Sequence, residues 1–205
     1  MEIRTLLTAI TLLLLMMIPA GRGSEGRRLS AREERIERAR RKDLVRTALR
    51  SAAAHGYYVF DELLTEDAGM IDFLAVGPVG AVAVIIRDEA GDVTADVDGT
   101  LYLDGRHFED DPLLHAGDLA RDVNVKIEGT GAHCYDIICF TRAELFYLGD
   151  DPDAALKGVC PIWDLPLSFA DADENHTTAD VAELADHIRG VYGRPPFVVP
   201  GEEDI

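Results

Sequence analysis

Two apolar runs separated by a glycine-rich turn constrain the fold of this chain more than any other feature. Apart from Asp72, the runs Ile71–Val76 and Ala81–Ile86 contain only apolar residues, and the turn Gly77–Gly80 (Gly-Pro-Val-Gly) lies between them. Short apolar runs bounded by glycine and proline predict buried strands joined by a tight turn. The centre of the chain is therefore predicted to form part of a sheet.

The residues on either side of this pair alternate between short extended runs and helical stretches. Asp98-Gly99 is a strong two-residue hairpin signal, and Pro112 suits the first turn of a helix. The further predicted strands are Tyr57–Phe60, Asp92–Val97, Thr100–Leu103, Asp136–Thr141 and Val159–Trp163. The predicted helices are Ser30 to about Ala54, Pro112 to about Ile127, and Thr178–Val191. Together these elements predict an α/β fold in which helices flank a central mixed sheet.

A nearly continuous apolar segment, Thr5–Ala20, predicts a hydrophobic helix at the N-terminus. The segment is shorter than the ~20 residues that comfortably span a bilayer. Arg22, Arg27 and Arg28 follow it closely, whereas Arg4 alone among basic residues precedes it. Positive charge after an apolar segment favours a cytoplasmic C-terminal side. The flanks therefore predict a single anchor in the cell membrane, with the rest of the chain in the cytoplasm.

Two alternatives to the anchor stay open. Ile18 and Ala20 form a passable signal-peptide cleavage site, in which case the domain is secreted, and an incorrectly assigned start codon would make the segment an artefact. The basic helix after the segment is polar nearly all round, so it is either a stalk lying against anionic lipid headgroups or a solvated linker. The predicted organisation is an anchor or signal segment (1–22), a basic linker helix (23–42), a globular domain (43–192) and a flexible acidic tail (193–205).

The charge of the chain is strongly asymmetric. Its formal net charge is -18, yet residues 1–50 hold 12 Lys and Arg against 6 Asp and Glu. The remaining 155 residues hold 8 basic against 32 acidic side chains. An acidic body repels phosphate backbones at long range, so strong DNA binding is not expected. A salt-adapted or GC-rich source would produce the same acidity.

The three cysteines, Cys134, Cys139 and Cys160, have no C-x-x-C spacing. Their odd number and their spacing argue against a disulfide framework and against a zinc site. Cys139 and Cys160 lie in apolar runs, where a free cysteine behaves as a small buried hydrophobe. The pattern predicts free thiols in a reducing compartment.

The segment Gly69–Gly91 carries a family resemblance. It consists of Ile-Asp, an apolar strand, Gly-Pro-Val-Gly, a second apolar strand and a closing Gly, and Asp111–Ala116 (Asp-Pro-Leu-Leu-His-Ala) begins a helix downstream. This pattern resembles the nuclease-related (NERD) domain family. The core of that family has Ile-Asp, an apolar strand, Gly-Pro-x-Gly, an apolar strand ending in Glu-x-Lys, and Gly, followed by a helix that begins Asn-Pro-x-x-Gln-Ala. The resemblance covers about residues 43–165 and implies a restriction-endonuclease-like fold.

That family is similar to nucleases of the PD-(D/E)XK type, in which two carboxylates on adjacent strands share a Mg²⁺ ion and a lysine stabilises developing charge. The resemblance places the first carboxylate, and with it a metal ligand, on Asp72. The second carboxylate falls on Ile85, which cannot bind metal, and the lysine falls on Arg87, which keeps the charge but is a poor base. The helix glutamine falls on His115. Asp72, Arg87 and His115 are therefore expected to be remnants of a catalytic site.

These substitutions predict a catalytically inactive domain without a cofactor, which serves as a membrane-proximal interaction or scaffold module for an unidentified protein partner. The alternative is a metal-dependent DNA nuclease whose Mg²⁺ site is rearranged around a migrated carboxylate. If the strand continues regularly, Asp88 points away from the site, whereas Glu89 has the right parity but lies in a turn before Gly91. The candidate carboxylates from other elements are Glu62, Asp118 and Asp122.

Overall fold

The computed structural model describes residues 31–147, 158–170 and 179–201 of the chain. The predicted hydrophobic helix over residues 5–20 and the predicted helix start at Ser30 lie outside these residues. The chain divides into two compact units, 1–37 and 38–205. In the first unit, the described residues 31–37 form the beginning of a helix. Among the described residues, no helix is both long enough and apolar enough to cross a membrane.

A mixed sheet of seven strands, counted over the described residues, forms the centre of the second unit. The strands are β1 Tyr58–Leu64, β2 Met70–Gly77, β3 Gly80–Ala95, β4 Leu101–Leu103, β5 Arg106–His107, β6 Cys134–Tyr147 and β7 Val159–Pro161. Strands β1 to β5 pair in sequence order and antiparallel, whereas β6 lies parallel to both β3 and β7. The predicted α/β class with a central mixed sheet is confirmed.

Helices cover the sheet, and they begin and end where the sequence provides caps. The helices of the described residues are α1 Ala31–Arg50, α2 Pro112–Lys126, α3 Leu167–Ala170 and α4 Val181–Tyr192. The carboxylates of Asp111 and Asp180 accept hydrogen bonds from the first free amides of α2 and α4. Helix α1 continues as a 3-10 turn and stops at Gly56, whose φ of 81° is the left-handed conformation typical of helix ends. The three predicted helices are present, and the predicted starts at Ser30 and Thr178 lie outside the described residues.

Two apolar layers fill the space between the sheet and its helices. In one layer, Leu119 and Val123 of α2 pack together with Ile188 of α4. In the other layer, Val45 and Leu49 of α1 are fully buried. Residues four positions apart lie on the same face of a helix, so the second half of α1 docks on the domain through this face.

Strand β3 is a single strand of 16 residues, where the sequence predicts two strands, Ala81–Ile86 and Asp92–Val97. The segment between them stays extended because β6 pairs with β3 on both sides of it. One extra residue of β3 is accommodated between Arg87 and Ala90 as a β-bulge. The prediction of a turn before Gly91 is therefore wrong.

The C-terminal segment packs on the sheet further than predicted. Val198 is buried and forms an isolated β-bridge with Val59, and the Phe197 amide donates a hydrogen bond of 2.8 Å to the Val59 carbonyl. The Phe197 ring lies 5.7 Å from the ring of Phe73. Phe197 and Val198, within the range predicted as a tail, thus pack on the folded domain, and residues 202–205 lie outside the described part of the chain.

Candidate functional site

The candidate site lies at a gap in the pairing along one edge of β3. The pairing of β2 with β3 ends at Phe73 and Val84, and the pairing of β4 with β3 begins only at Leu103 and Val93. Between these points no described strand pairs with this edge, while β6 pairs along the opposite edge. The gap leaves the middle of β3 open to a surface cavity.

An aspartate closes each end of the gap. At one end, Asp72 Oδ2 accepts a hydrogen bond of 2.9 Å from the Ile86 amide. At the other end, Asp104 Oδ1 accepts a hydrogen bond of 2.9 Å from the Asp92 amide. Each carboxylate takes the place of a missing strand partner, and the bond to the Ile86 amide is partly buried whereas the bond to the Asp92 amide is exposed. Gly91 is needed beside Asp104, since a Cβ at this position, where φ is 131°, would lie 2.5 Å from Asp104 Oδ1.

The four positions that the family resemblance singles out lie around one cavity. Asp72, Ile85, Arg87 and His115 all line an open cavity of about 460 Å³. The other residues lining this cavity are Arg38, Met70, Ile86, Asp88 and Glu89. The fold therefore brings residues of the adjacent strands β2 and β3 together with residues of α1 and α2, which lie further away in the sequence.

The Asp72 carboxyl is partly removed from solvent. Burial raises its pKa, and this effect prevails over the backbone hydrogen bond and the positive charges of Lys42 and Arg38, which lower it. A smaller adjoining cavity of about 40 Å³ is lined by Arg38, Arg41, Lys42, Asp72, Ile86 and Asp88. Asp72 is thus a partly desolvated acid with basic side chains beside it.

Asp88 and Glu89 also line the cavity, because no described strand pairs with this edge of β3 and consecutive residues from both of its faces reach the cavity. Both carboxylates are held by arginines. Asp88 Oδ2 lies 2.6 Å from Arg41 Nη2, and Glu89 Oε2 lies 3.2 Å from Arg87 Nε. Asp88 pairs with α1, which packs in the apolar layer opposite to that of Ile85, so its side chain points away from position 85 as predicted. The prediction that it therefore misses the site is wrong, because Asp88 lines the cavity at the open strand edge. The site therefore contains extra carboxylates, but they are engaged in ion pairs.

Position 85 provides no metal ligand, and Arg87 is fixed by its neighbours. Ile85 is 4% exposed and packs in the same apolar layer as α2. The Arg87 guanidinium pairs with Glu89 and lies 5.5 Å from the centroid of the Phe108 ring. Arg87 keeps a positive charge at the cavity wall while its donors are engaged by Glu89 and its guanidinium by the ring.

His115 is exposed on the first turn of α2. Its Cε1 lies 3.9 Å from the position that a Cβ would occupy on Gly69, so the imidazole lies against the backbone that leads into β2. A second cavity, of about 620 Å³, shares Arg87 and Glu89 with the first and extends towards β5. His115 is therefore a solvent-exposed member of the first cavity and does not line the second.

The carboxylates predicted from other elements lie elsewhere. Glu62 bonds Lys42 Nζ at 2.9 Å, and hydrogen bonding from Lys42 lowers its pKa. Asp118 is paired within its own helix. Asp122 is close to Tyr192, whose pKa is raised by burial first and by the Asp122 charge second. None of these three carboxylates lines the cavity that contains Asp72.

Basic residues of α1 belong to the site, although the sequence pattern predicts a linker helix for them. The side chains of Arg41 and Lys42 are only 15% and 17% exposed, so they are not part of a fully solvated stalk. The sequence does contain the relevant signal. Arg38, Arg41, Lys42 and Val45 follow the i, i+3, i+4, i+7 spacing of one helical face, and Val45 is buried in the domain.

The site combines a hydrogen-bonded aspartate with alternating positive and negative side chains. Within the described ranges, no three His, Cys, Asp or Glu side chains are grouped so that they could hold a metal ion. No family model, no curated protein and no solved structure matches the chain. The geometry of the site is therefore the basis on which a function can be proposed.

Proposed function

We propose that this chain carries a catalytically inactive nuclease-related domain of the NERD type, with a restriction-endonuclease-like fold, and that it serves as an interaction or scaffold module at a membrane. The carboxylates around Asp72 give this proposal its main support. Ile85 stands where a second metal ligand is needed, and Asp88 and Glu89 are each held by an arginine. Metal chemistry based on two carboxylates therefore lacks a free second ligand.

The basic residues of α1 also oppose metal binding. Mg²⁺ takes oxygen ligands in a near-octahedral arrangement and is usually held by carboxylates and waters. Asp72 uses one oxygen for the Ile86 amide, and Arg38, Arg41 and Lys42 line the same small cavity. A divalent cation placed there meets like charges at short range, which makes the site poorly suited to activating water.

The membrane location rests on the sequence of the N-terminal region. Thr5–Ala20 is apolar, and the arginines that follow it favour an anchor whose C-terminal side is cytoplasmic. The strong excess of acidic residues after position 50 favours a protein partner over DNA, because the body repels phosphate backbones. The proposed protein is thus a membrane-anchored module that binds a protein on the cytoplasmic side.

DNA cleavage by the full-length protein in detergent tests whether the domain is inactive. With Mg²⁺ or Mn²⁺ present, we expect no cleavage above the level of the Asp72→Ala variant. Cleavage by the unaltered protein that disappears in Asp72→Ala would overturn the proposal. The absence of cleavage by both proteins would agree with the proposal. Circular dichroism shows whether the Asp72→Ala variant is folded.

Membrane fractionation tests the anchor. The protein should stay with the membranes through an alkaline carbonate wash, because a hydrophobic segment resists extraction whereas a peripheral contact does not. A secreted protein whose first residue lies near Gly21 would instead support the cleaved-signal alternative and would rule out the membrane location.

A metal-dependent DNA nuclease with a rearranged Mg²⁺ site is the second candidate function, and one observation favours it. Asp88 of β3 lines the same two cavities as Asp72 of the neighbouring strand β2, as a migrated second carboxylate requires. Arg41 holds Asp88 at 2.6 Å, so this mechanism needs Arg41 to release it. The nuclease reading predicts that Arg41→Ala raises cleavage and that Asp88→Ala removes it. Equal cleavage by wild type and Asp88→Ala would exclude this site.

A further inference from the structure

Cys139 and Cys160 are direct neighbours on adjacent strands. The parallel pairing of β6 with β7 sets Cys139 opposite Cys160. Neighbouring strands are about 4.8 Å apart, and disulfides join Cα atoms separated by roughly 4.4–6.8 Å. Both side chains belong to the same apolar layer, together with Phe169 of α3, so they lie on the same face of the sheet. The spacing of the two strands is therefore compatible with a bond between the two sulfurs.

We propose that Cys139 and Cys160 form a reversible dithiol site that hydrogen peroxide oxidises to a disulfide. This inference goes beyond the proposed function and does not depend on it. All three cysteines are free thiols in the structure. Cys134 lies in the other apolar layer, and its thiol contacts the Tyr135 carbonyl at 3.4 Å. Cys134 thus provides an internal control that has no cysteine opposite it on β3.

Cys160 is the thiol that reacts first. It is 8% exposed, whereas Cys139 is fully buried. Hydrogen bonding with Cys139, and then with Ser168, lowers the pKa of Cys160 against burial and the Asp164 charge. The same hydrogen bond, and then burial, raises the pKa of Cys139. Because the thiolate is the nucleophile, Cys160 attacks the oxidant and Cys139 resolves the product.

The reaction balances with peroxide as the only co-reactant. The Cys160 sulfur attacks one peroxide oxygen, the O–O bond breaks, and the departing hydroxide takes the Cys160 proton and leaves as water. Cys160 is then a sulfenic acid. The Cys139 sulfur attacks the Cys160 sulfur, the S–O bond breaks, and the hydroxide leaves with the Cys139 proton as a second water. The two thiols lose two electrons, and the peroxide gains them.

Peptide mapping of the reduced, full-length protein after peroxide treatment tests the proposal. The protein is exposed to peroxide while folded, then denatured and alkylated, and its peptides are measured by mass spectrometry. We expect a cross-linked peptide that contains Cys139 and Cys160, a mass loss of two hydrogen atoms, and complete reversal by dithiothreitol. Cys134 should be recovered as the alkylated thiol. It should react with peroxide at least about tenfold more slowly than Cys160, because burial raises its pKa to about 12.

Variants separate this site from general oxidation. Cys134→Ser should form the same cross-link at an unchanged rate. Cys139→Ser should stop at a Cys160 sulfenic acid that dimedone traps, whereas Cys160→Ser should give no dimedone adduct at Cys139. Three results with the unaltered protein would overturn the proposal: thiols that stay unmodified, thiols that gain oxygen without a cross-link, or disulfides that form only between molecules. These results do not depend on the folding of any variant.

Discussion

The two halves of β3 belong to one strand but have opposite environments. Residues 80–85 are buried throughout, and Ala81–Val84 pair with strands on both edges. Residues 86–92 are partly exposed, contain the bulge, and are paired on one edge alone among the described strands. The first half therefore supplies a rigid support, and the second half supplies the ionisable groups of the candidate site.

The difference shows how a sheet can keep its order beside an open site. A strand edge without a partner leaves amides and carbonyls that need other partners. Here Asp72 and Asp104 provide acceptors at the two ends of the gap. The arginine pairs of Asp88 and Glu89 stabilise the charged residues between them. The aspartate that a nuclease would use for metal is thus engaged in holding the sheet together.

The largest predicted effect compares two glycines, Gly80 at the start of β3 and Gly91 in its open half. A Cβ on Gly80, at φ 109°, would lie 2.4 Å from the His133 carbonyl oxygen, which is backbone and cannot move freely. A Cβ on Gly91 would meet only the end of the Asp104 side chain. We expect Gly80→Ala to lower the free energy of unfolding, measured by urea denaturation, by roughly 2–6 kcal/mol, and Gly91→Ala to lower it by about 1–3 kcal/mol.

A matched control for this comparison is Gly99→Ala, because Gly99 has φ 86° but nothing near its Cβ position. It reports the cost of the backbone conformation alone. If Gly80→Ala and Gly99→Ala lower the free energy of unfolding equally, the contact with the His133 carbonyl does not contribute to the cost. The rigid half of β3 would then be no more constrained than an exposed turn.

The next effect compares two adjacent isoleucines across the boundary between the halves. Ile85 is 4% exposed in one apolar layer, whereas Ile86 is partly exposed and packs against the other. Ile85→Ala should lower the free energy of unfolding by roughly 2–5 kcal/mol, and Ile86→Ala by about 1–2 kcal/mol. A larger loss for Ile86→Ala would place the boundary between support and site elsewhere on β3.

The buried half of β3 and its turn could be predicted from sequence, whereas the open half could not. An uninterrupted apolar run bounded by glycines has few other structures available, so Ala81–Ile86 was identified as a strand. Arg87–Gly91 contains three charged residues and a glycine, which is also the pattern of a turn. The partner that keeps it extended, β6, lies about 50 residues later in the chain, and local pattern contains no information about such pairing.

The candidate site was predictable to the same limited degree. The resemblance identified Asp72, Ile85, Arg87 and His115, and the structure places all four around one cavity. The ion pair of Asp88 with Arg41 depends on how α1 docks against the open edge of β3, which local sequence does not determine. The helical spacing of the basic residues with Val45 was the one available signal, and it was assigned to a linker.

A smaller effect compares the two aspartates that close the gap. Each substitution leaves an amide without its acceptor, so Asp72→Ala should lower the free energy of unfolding by about 1–2 kcal/mol and Asp104→Ala by about 0.5–1 kcal/mol. The smaller loss is expected for Asp104 because it is the more exposed. Asp72→Asn keeps an acceptor for the Ile86 amide and should retain most of the stability. If Asp72→Asn is as unstable as Asp72→Ala, the hydrogen bond is not what Asp72 contributes to the fold.

The stability difference between Asp72→Asn and the unaltered protein should also depend on pH. Burial raises the folded pKa of Asp72 above its ordinary value of 3.8, so ionisation favours the unfolded chain. The resulting loss of stability is absent below pH 3.8, grows as the pH rises through the folded pKa, and is constant above it. The stability of Asp72→Asn relative to the unaltered protein should therefore increase over that window. A decrease would mean that the basic residues of α1 outweigh burial.

The smallest effect concerns the ion pair that occupies the open half of β3. A double-mutant cycle on Arg41 and Asp88 should give a coupling of about 0.5–1 kcal/mol, because the Asp88 side chain is 47% exposed. The pair Arg121–Asp118 on α2, exposed on both sides, is the control and should couple by about 0.2–0.5 kcal/mol. Both couplings should fall with added salt, since charges in contact with solvent are screened. A coupling for Arg41–Asp88 no larger than the control would mean that Asp88 is available to other ligands, and it would shift the balance towards the rearranged nuclease site.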